Sequence, residues 1–523
     1  MESNFRASMN WLHTWAGVIL GGLLFAIFWM GTLAVFDREI DLWMSPSTRV
    51  EQTANPLPFD AYKPSLMEAA RNKAKTWSLH PPTDREPTLA TYVPGETGYI
   101  AKHHDPATGV ELADPGTWGG SEFIYPFHYD LHIHFAHLGE WIVGVAGMAM
   151  LLLCITGVVI HRKIFTDFFT FRPFKTTPRM VLDLHNVTGV LGLPFHLFIT
   201  ISGLVIFSAS YFPGGWQPHY ESEKAFYADG GSSFKRAPSG TPATQIASLD
   251  AIMEQVRQKW DGELPEYIVV HNPGDAASYA MVKRASARGV THLADMIWFD
   301  MASGSVLSES APSRPVMHSA QFIAGMHLIE FRHWTLRWLY FGLGITGCIL
   351  IATGFLFWLE SRRKRHAQLG ISGARIVETL TIGSTTGIII ATLSFFVVNR
   401  LLPLDIAIAG RERAAVEAWV FYLVFLATFI HAHLRKDKAW RDQCRAIAFL
   451  AVTAVLLNWI TTGDHIMRSL ANRNLWPVAG MDIMLVIVAL ISAAFARKLS
   501  RRRGDAQALD RPGSPTLTAS EGA

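Results

Sequence analysis

Eight stretches of this chain run for about 20 residues with scarcely a charge, the length an α-helix needs to cross the hydrocarbon core of a bilayer. They fall at about 11–36, 139–161, 184–211, 336–359, 377–402, 415–434, 444–462 and 477–497. In lipid a spanning segment has to satisfy its own backbone polar groups, so runs of this kind fold as helices packed in a bundle. Of 523 residues 50% are hydrophobic and only 17% charged, too apolar for a soluble enzyme of this size. The net charge of +3 gives no basic footprint for nucleic acid. The first apolar run is long and lacks a small-residue cleavage site, so it is expected to remain as an anchor.

Two long polar segments, about 37–130 and 212–318, interrupt the spans. Each opens with a helical stretch, SLMEAARNKAKTW (65–77) or SLDAIMEQVRQKW (248–260), and continues with strand-like runs such as TLATYV (88–93), EYIVVHN (266–272) and SYAMVKRA (278–285). The first part of the chain therefore reads as a duplicated unit of helix, α+β module, helix. The domains expected are 1–36, 37–130, 131–211, 212–318, 319–362, a C-terminal four-helix region at 363–503 and a Gly/Pro/Ser-rich disordered tail at 504–523. The fold class expected is mainly α, a polytopic membrane bundle of about eight helices with two extracytoplasmic α+β modules.

Lysine and arginine orient the bundle. HRKIFTDFFTFRPFKTTPR (161–179), SRRKRH (361–366), LRKDKAWR (434–441) and RKLSRRR (497–503) all fall on one side, which is then cytoplasmic. Both termini share that side, and both polar segments face away from it. In a bacterial inner membrane their side is the periplasm.

Histidines cluster at the ends of the apolar spans. His13 opens the first; His132, His134 and His137 precede the second and His161 closes it; His185 and His196 lie on the third; His327 and His333 lead into the fourth. Ionisable side chains in a membrane are costly and by default mark a functional site. A single interfacial histidine is most simply a solvated side chain, but these fall into two depth classes. His13, His161 and His185 belong near the cytoplasmic boundary, His132, His134, His137, His327 and His333 near the opposite one, and His196 between. His185 and His196 are 11 residues apart, about three turns, and share a face. So do His132 and His161, about eight turns apart, if their helix is continuous.

Imidazoles paired across facing helices hold a haem iron from both sides. The three cysteines, Cys154, Cys348 and Cys444, form no CxxCH or CxxC motif, so any haem is non-covalent and of b type. The first-choice pairs are His13 with His185 and His132 with His327. His161 and His196 are the substitutes, or hold a third haem. The spans also share a glycine near one end, in MGTLAVF (30–36), ITGVVIH (155–161), ISGLVIF (201–207) and ATGFLFW (352–358), where helices or a porphyrin approach closely. HYDLHIHFAH (128–137) is the one local histidine cluster and an alternative metal site, although His128, His132 and His137 do not make an HExxH.

NWLHTWAGVILGG (10–22), FHYDLH (127–132), ITGVVIHRKIFTDFFTFRP (155–173), LDLHNVTGVLGLPFHLFITISGLVIF (182–207) and RWLYFGLGITGCILIATGFLFW (337–358), in that order, resemble the PepSY-associated transmembrane helix family. The resemblance covers about residues 5–362; the last four helices lie outside it. It implies PepSY-like modules in the polar segments, two b haems, and a siderophore-iron reductase of the bacterial inner membrane that releases Fe(II) from a periplasmic ferric siderophore. No GxGxxG in a strand–helix context and no GxxxxGK[ST] loop is present, and the cytoplasmic loops are too short for a flavin or nicotinamide domain. The electron donor is then a membrane quinol or a separate cytosolic reductase. The competing readings are a membrane protein whose modules bind or restrain a periplasmic partner, and a transporter. The last four spans carry few buried polar candidates for transport: Asn399, Glu417, Asn458 and Asp482.

Overall fold

The computed structural model describes residues 3–95, 98–161, 177–222, 225–226, 234–286, 288–310, 315–369 and 373–509. Among the described residues seven segments are helical, long and apolar enough to cross a membrane: Asn4–Ala34, Phe135–Ile160, Thr177–Ile206, Trp334–Arg362, Gly373–Leu401, Arg413–Thr462 and Arg473–Arg501. The chain is a multi-pass membrane protein. One of these segments, Arg413–Thr462, covers two of the expected spans, 415–434 and 444–462. Helices Arg413–Arg435 and Ala439–Thr462 meet there at a 3-10 turn, where Lys436 takes a left-handed φ of 49°.

The elements used below follow in chain order. The first unit holds α1 (Ser3–Ala34), α2 (Asp37–Met44), α3 (Lys63–Arg71), β1 (Thr76–His80), β2 (Leu89–Pro94), β3 (Tyr99–His104), α4 (Tyr125–Asp130) and α5 (Leu138–Ile160). The second holds α6 (Thr177–Ile206), α7 (Leu249–Lys259), β4 (Pro265–His271), β5 (Tyr279–Arg284), β6 (Met296–Asp300), β7 (Val306–Glu309), α8 (Pro315–Leu328) and α9 (Trp334–Leu369). The C-terminal helices are α10 (Gly373–Ile382), α11 (Ile388–Leu401), α12 (Arg413–Arg435), α13 (Ala439–Thr462) and α14 (Trp476–Leu509). The last helix runs to Leu509, past residue 504 where the sequence predicts a disordered tail. The rest of that tail and most of the basic connection 161–179 lie outside the described residues.

The two polar segments do not form two separate modules. Their strands make one antiparallel sheet in the order β3-β2-β1-β4-β5-β6-β7. Strand β1 pairs with β4 at the centre, Trp77 opposite Val270 and Leu79 opposite Ile268. Each half thus brings a helix and then strands running outward from the central pair, the order a duplicated unit gives when its copies meet about a two-fold axis. Both helices cover one face. In α7, Ser248 caps the N-terminus by accepting from the Ala251 N–H, and Leu249, Ile252, Met253 and Val256 form a buried stripe at helical spacing. The stripe packs on Trp77, Leu79, Ile268, Val282 and Phe299. Each such side chain contributes about 1.5–3 kcal/mol of burial.

A second core joins the first unit to the C-terminal helices. Phe25, Met30, Trp43, Phe123 and Phe127 pack against Ile388, Phe395, Phe396 and Phe421. The sheet sits beyond the ends of α1 and α6 that carry Ala34 and Ile206, and this end is called the sheet side below.

Candidate functional site

Two pairs of imidazoles face one another, one pair at each end of the first four long helices. The ring centres of His13 on α1 and His185 on α6 are 6.4 Å apart, with planes at 84°. Those of His128 on α4 and His327 on α8 are 6.1 Å apart, with planes at 26°. Two imidazoles that bind one iron from opposite sides, through bonds of about 2.0 Å with each ring centre about 1.2 Å beyond its nitrogen, have centres about 6.4 Å apart. Both pairs fit that spacing.

Hydrogen bonds fix the tautomer in each ring. His128 Nδ1–H donates to the Ile27 carbonyl at 2.8 Å, and His185 Nδ1–H donates to the Leu350 carbonyl at 2.9 Å. His13 Nδ1 lies 3.0 Å from the Thr156 hydroxyl and His327 Nδ1 lies 3.0 Å from the Ser202 hydroxyl. Those hydroxyls already donate to the carbonyls of Leu152 and Ile199, so they accept from the imidazoles. All four rings therefore carry their proton on Nδ1 and keep the Nε2 lone pair for a metal, the arrangement that orients ligating histidines.

The glycines noted in the sequence make room for the rings. A methyl at Gly31 would stand 2.5 Å from the His128 ring, and one at Gly203 would stand 2.8 Å from His327. Gly157 lies against His13 and Gly354 against His185. Each ring is cradled by its own unit and meets a ring of the other unit. On α1 the ligand-type residue His13 and the cradle Gly31 are 18 residues apart; on α6 His185 and Gly203 are also 18 apart. That is five turns and a rise of about 27 Å, so one face of each helix serves both pairs, at opposite ends of the membrane.

Around the sheet-side pair lies a cavity of about 490 Å³. Its deep walls are apolar, with Leu24, Phe28, Met150, Phe195 and Leu204, and its other end is polar, with Arg38, Arg85, Ser121 and Glu330. That volume is within the range of cofactor sites.

The structure brings His13 and His185 together and does not bring His132 to His327. His132 lies among Phe123, Phe127 and Tyr422, and both its nitrogens are engaged, Nε2 with the Phe123 carbonyl at 2.9 Å and Nδ1 with the Tyr422 hydroxyl at 2.8 Å. The reason is a break in the chain ahead of the second span. Leu131 and His132 are both left-handed, with φ of 55°, and α5 starts only at Leu138. Nor are His161 and His196 paired. His161 follows α5 within electrostatic reach of His185, and among the described residues its buried Nε2 has no hydrogen-bond partner. His196 is fully buried about three turns along α6 from His185, and the rings beside it are Phe28 and Phe195. His134 and His137 turn to Asp130 and Glu140. Among the described residues no group of three or more His, Cys, Asp or Glu side chains could hold a metal ion, so 128–137 does not assemble one.

Residues 10–361 match the family model described as the PepSY-associated TM region. An uncharacterized protein of Pseudomonas aeruginosa is 23% identical over 299 residues, a match covering 54% of this chain and 74% of that protein.

Proposed function

The chain belongs to the family of the PepSY-associated TM region, and on that premise we propose that it is a b-type di-haem oxidoreductase of the bacterial inner membrane that reduces a periplasmic ferric siderophore and releases Fe(II). The observation that supports this reading most is the two close imidazole pairs, with ring centres 6.4 Å and 6.1 Å apart, a spacing that two histidines holding one haem iron would have. His13 and His185 would hold the cytoplasmic-side haem, and His128 and His327 the periplasmic-side haem. Haem bound there supplies reversible one-electron chemistry at a potential set by its ligands and surroundings.

The chain's own residues do the rest. Thr156, Ser202 and the carbonyls of Ile27 and Leu350 hold each imidazole as the Nδ1–H tautomer. Gly31, Gly157, Gly203 and Gly354 leave the rings room. Leu24, Phe28, Phe195 and Leu204 give the cavity beside the sheet-side pair an apolar wall. The substrate follows from its chemistry. Hard Fe(III) is held tightly by oxygen-rich chelators and Fe(II) weakly, so one electron loosens the iron. The Lys/Arg asymmetry of the loops supports cytoplasmic termini and a periplasmic sheet. A membrane quinol or a cytosolic reductase is the donor.

Haem quantification of the purified full-length chain, followed by reduction of a ferric hydroxamate or catecholate chelate with a ferrous trap, tests the reading. About two haems per chain and chelate-dependent reoxidation are expected. A colourless, folded preparation would sink it.

A further inference from the structure

Helices α10–α14 lie beyond the family match, and the structure gives them a part in the sheet-side pair. Three backbone segments of the first unit frame the cavity there: α2 with Asp37 and Arg38, the stretch at Ser121, and α4 with Tyr125 and His128. Each is tied to a C-terminal helix by a polar bond. From α2, Trp43 donates its indole N–H to Asp482 at 2.8 Å, while Arg400 stacks on the Trp43 ring at 4.5 Å and donates to its carbonyl. Before Ser121, the Thr117 hydroxyl donates to Glu417 at 2.5 Å and the Pro115 carbonyl accepts from Arg413 at 2.8 Å.

The third tie is the most telling. His132 donates from Nε2 to the Phe123 carbonyl, so its Nδ1 lone pair accepts from the Tyr422 hydroxyl. It is the opposite tautomer from the four paired imidazoles, and it serves as a strut. The strut pins a strained turn, Leu131–His132, one helical turn beyond His128. Phe123, at the other end of the same segment, stacks on Phe395 of α11 at 4.5 Å. Glu417, Asp482 and Trp43 are at most 1% exposed, so water does not substitute for a lost partner. The ring partners of the His13–His185 pair lie on α5 and α9, outside the three tied segments.

We propose that the C-terminal helices brace the first unit, and that Tyr422, through His132, is a positioning residue that holds His128 opposite His327. The value of that position rests on the haem reading above; the brace itself does not.

The test uses the full-length chain and a Tyr422→Phe, Glu417→Gln double variant, read by hydrogen exchange and by the low-spin ferric signals of the two haem sites. Exchange at residues 115–132 should rise at least tenfold with 181–206 unchanged. The periplasmic-side haem signal should shift or fall by at least half while the other stays in place. Tyr422→Phe alone should give the same pattern at smaller amplitude if the double variant does not accumulate. Unchanged exchange at 115–132, an equal rise in both regions, or an equal shift of both haem signals would overturn the brace. If wild-type protein carries no haem, the proposed function fails, and the exchange comparison alone decides the brace.

Discussion

His13 and His185 meet edge to face, their ring planes crossing at 84°. The Thr156 hydroxyl sets one plane and the Leu350 carbonyl sets the other, so the crossing is built into α5 and α9. At the sheet side, His128 and His327 lie within 26° of parallel. The two pairs thus share residue type, tautomer and spacing and differ in the twist between rings.

That twist is measurable. The π orbitals of an axial imidazole split the iron d levels according to the ring's orientation, so crossed and near-parallel pairs give different low-spin ferric spectra. With haem held at both pairs as proposed, oxidised protein should give two electron paramagnetic resonance signals: a strongly anisotropic one with a large leading g value from the His13–His185 site, and a rhombic one from the His128–His327 site. Substituting His185 should remove the first signal alone. A single rhombic signal of double intensity would contradict the crossed geometry.

Ligand substitutions separate the two candidate histidines of the sheet side. His128→Ala should lower haem from about two to about one per chain, because His327 loses the ring opposite it. His132→Ala should keep at least one haem fully occupied and weaken the other only in part, because both His132 nitrogens are spent on protein partners. The measurement is pyridine haemochrome content against protein concentration. Full haem in His128→Ala with loss in His132→Ala would restore the pairing of His132 with His327.

Apolar length alone announces the spans, and the depth of His13, His185 and His327 follows from their distance to the span ends. The repeat of helix, α+β segment and helix is legible in the residue pattern, and α7 follows its apolar stripe and serine cap closely. His128 is hidden by a backbone event. A shared face for 132 and 161 requires a continuous helix between them, whereas left-handed residues at 131, 132, 136 and 137 break the chain ahead of the span and re-aim the imidazoles. One signal in the sequence does point to His128. The 18-residue interval from His13 to Gly31 recurs from His185 to Gly203, and a glycine cradle at the sheet side calls for a ring against it. The merging of both polar segments into one sheet is out of reach of sequence, since alternation within a strand says nothing of which strand it pairs with across more than 150 residues.

The cradles make a sharp volume prediction. Gly31→Ala puts a methyl 2.5 Å from the His128 ring, which is held by Ile27 and cannot swing away freely. Overpacking of this kind costs about 1–3 kcal/mol. We expect a lower melting temperature and, with haem bound as proposed, its loss from the sheet-side pair. Gly342→Ala on α9 is the control, since nothing stands within 4 Å of its added methyl, and it should stay within about 0.5 kcal/mol of wild type. Equal behaviour of the two variants would mean that Gly31 is ordinary helix packing.

Acid should loosen the sheet through His80. Its ring lies between Tyr92, at 4.6 Å, and Tyr267, at 5.3 Å. Burial first, and the charge of Arg38 second, push its pKa down to about 4. An unfolded chain titrates this group near 6.5. Between those values the unfolded state binds the extra proton, so stability is complete above about pH 6.5 and is lost as pH falls toward 4. The full shift corresponds to about 3 kcal/mol, and partial solvent access trims it to about 1–2 kcal/mol. His80→Phe keeps an aromatic ring between the tyrosines and removes the titration. Its melting temperature should therefore fall less than that of wild type between pH 7.5 and pH 5, and parallel slopes would remove His80 as the cause. Arg38 also lines the polar end of the cavity beside Ser121, so a proton on His80 adds a like charge next to a residue that frames the sheet-side pair. The same pH step should then shift the His128–His327 haem signal in wild type and leave it in place in His80→Phe.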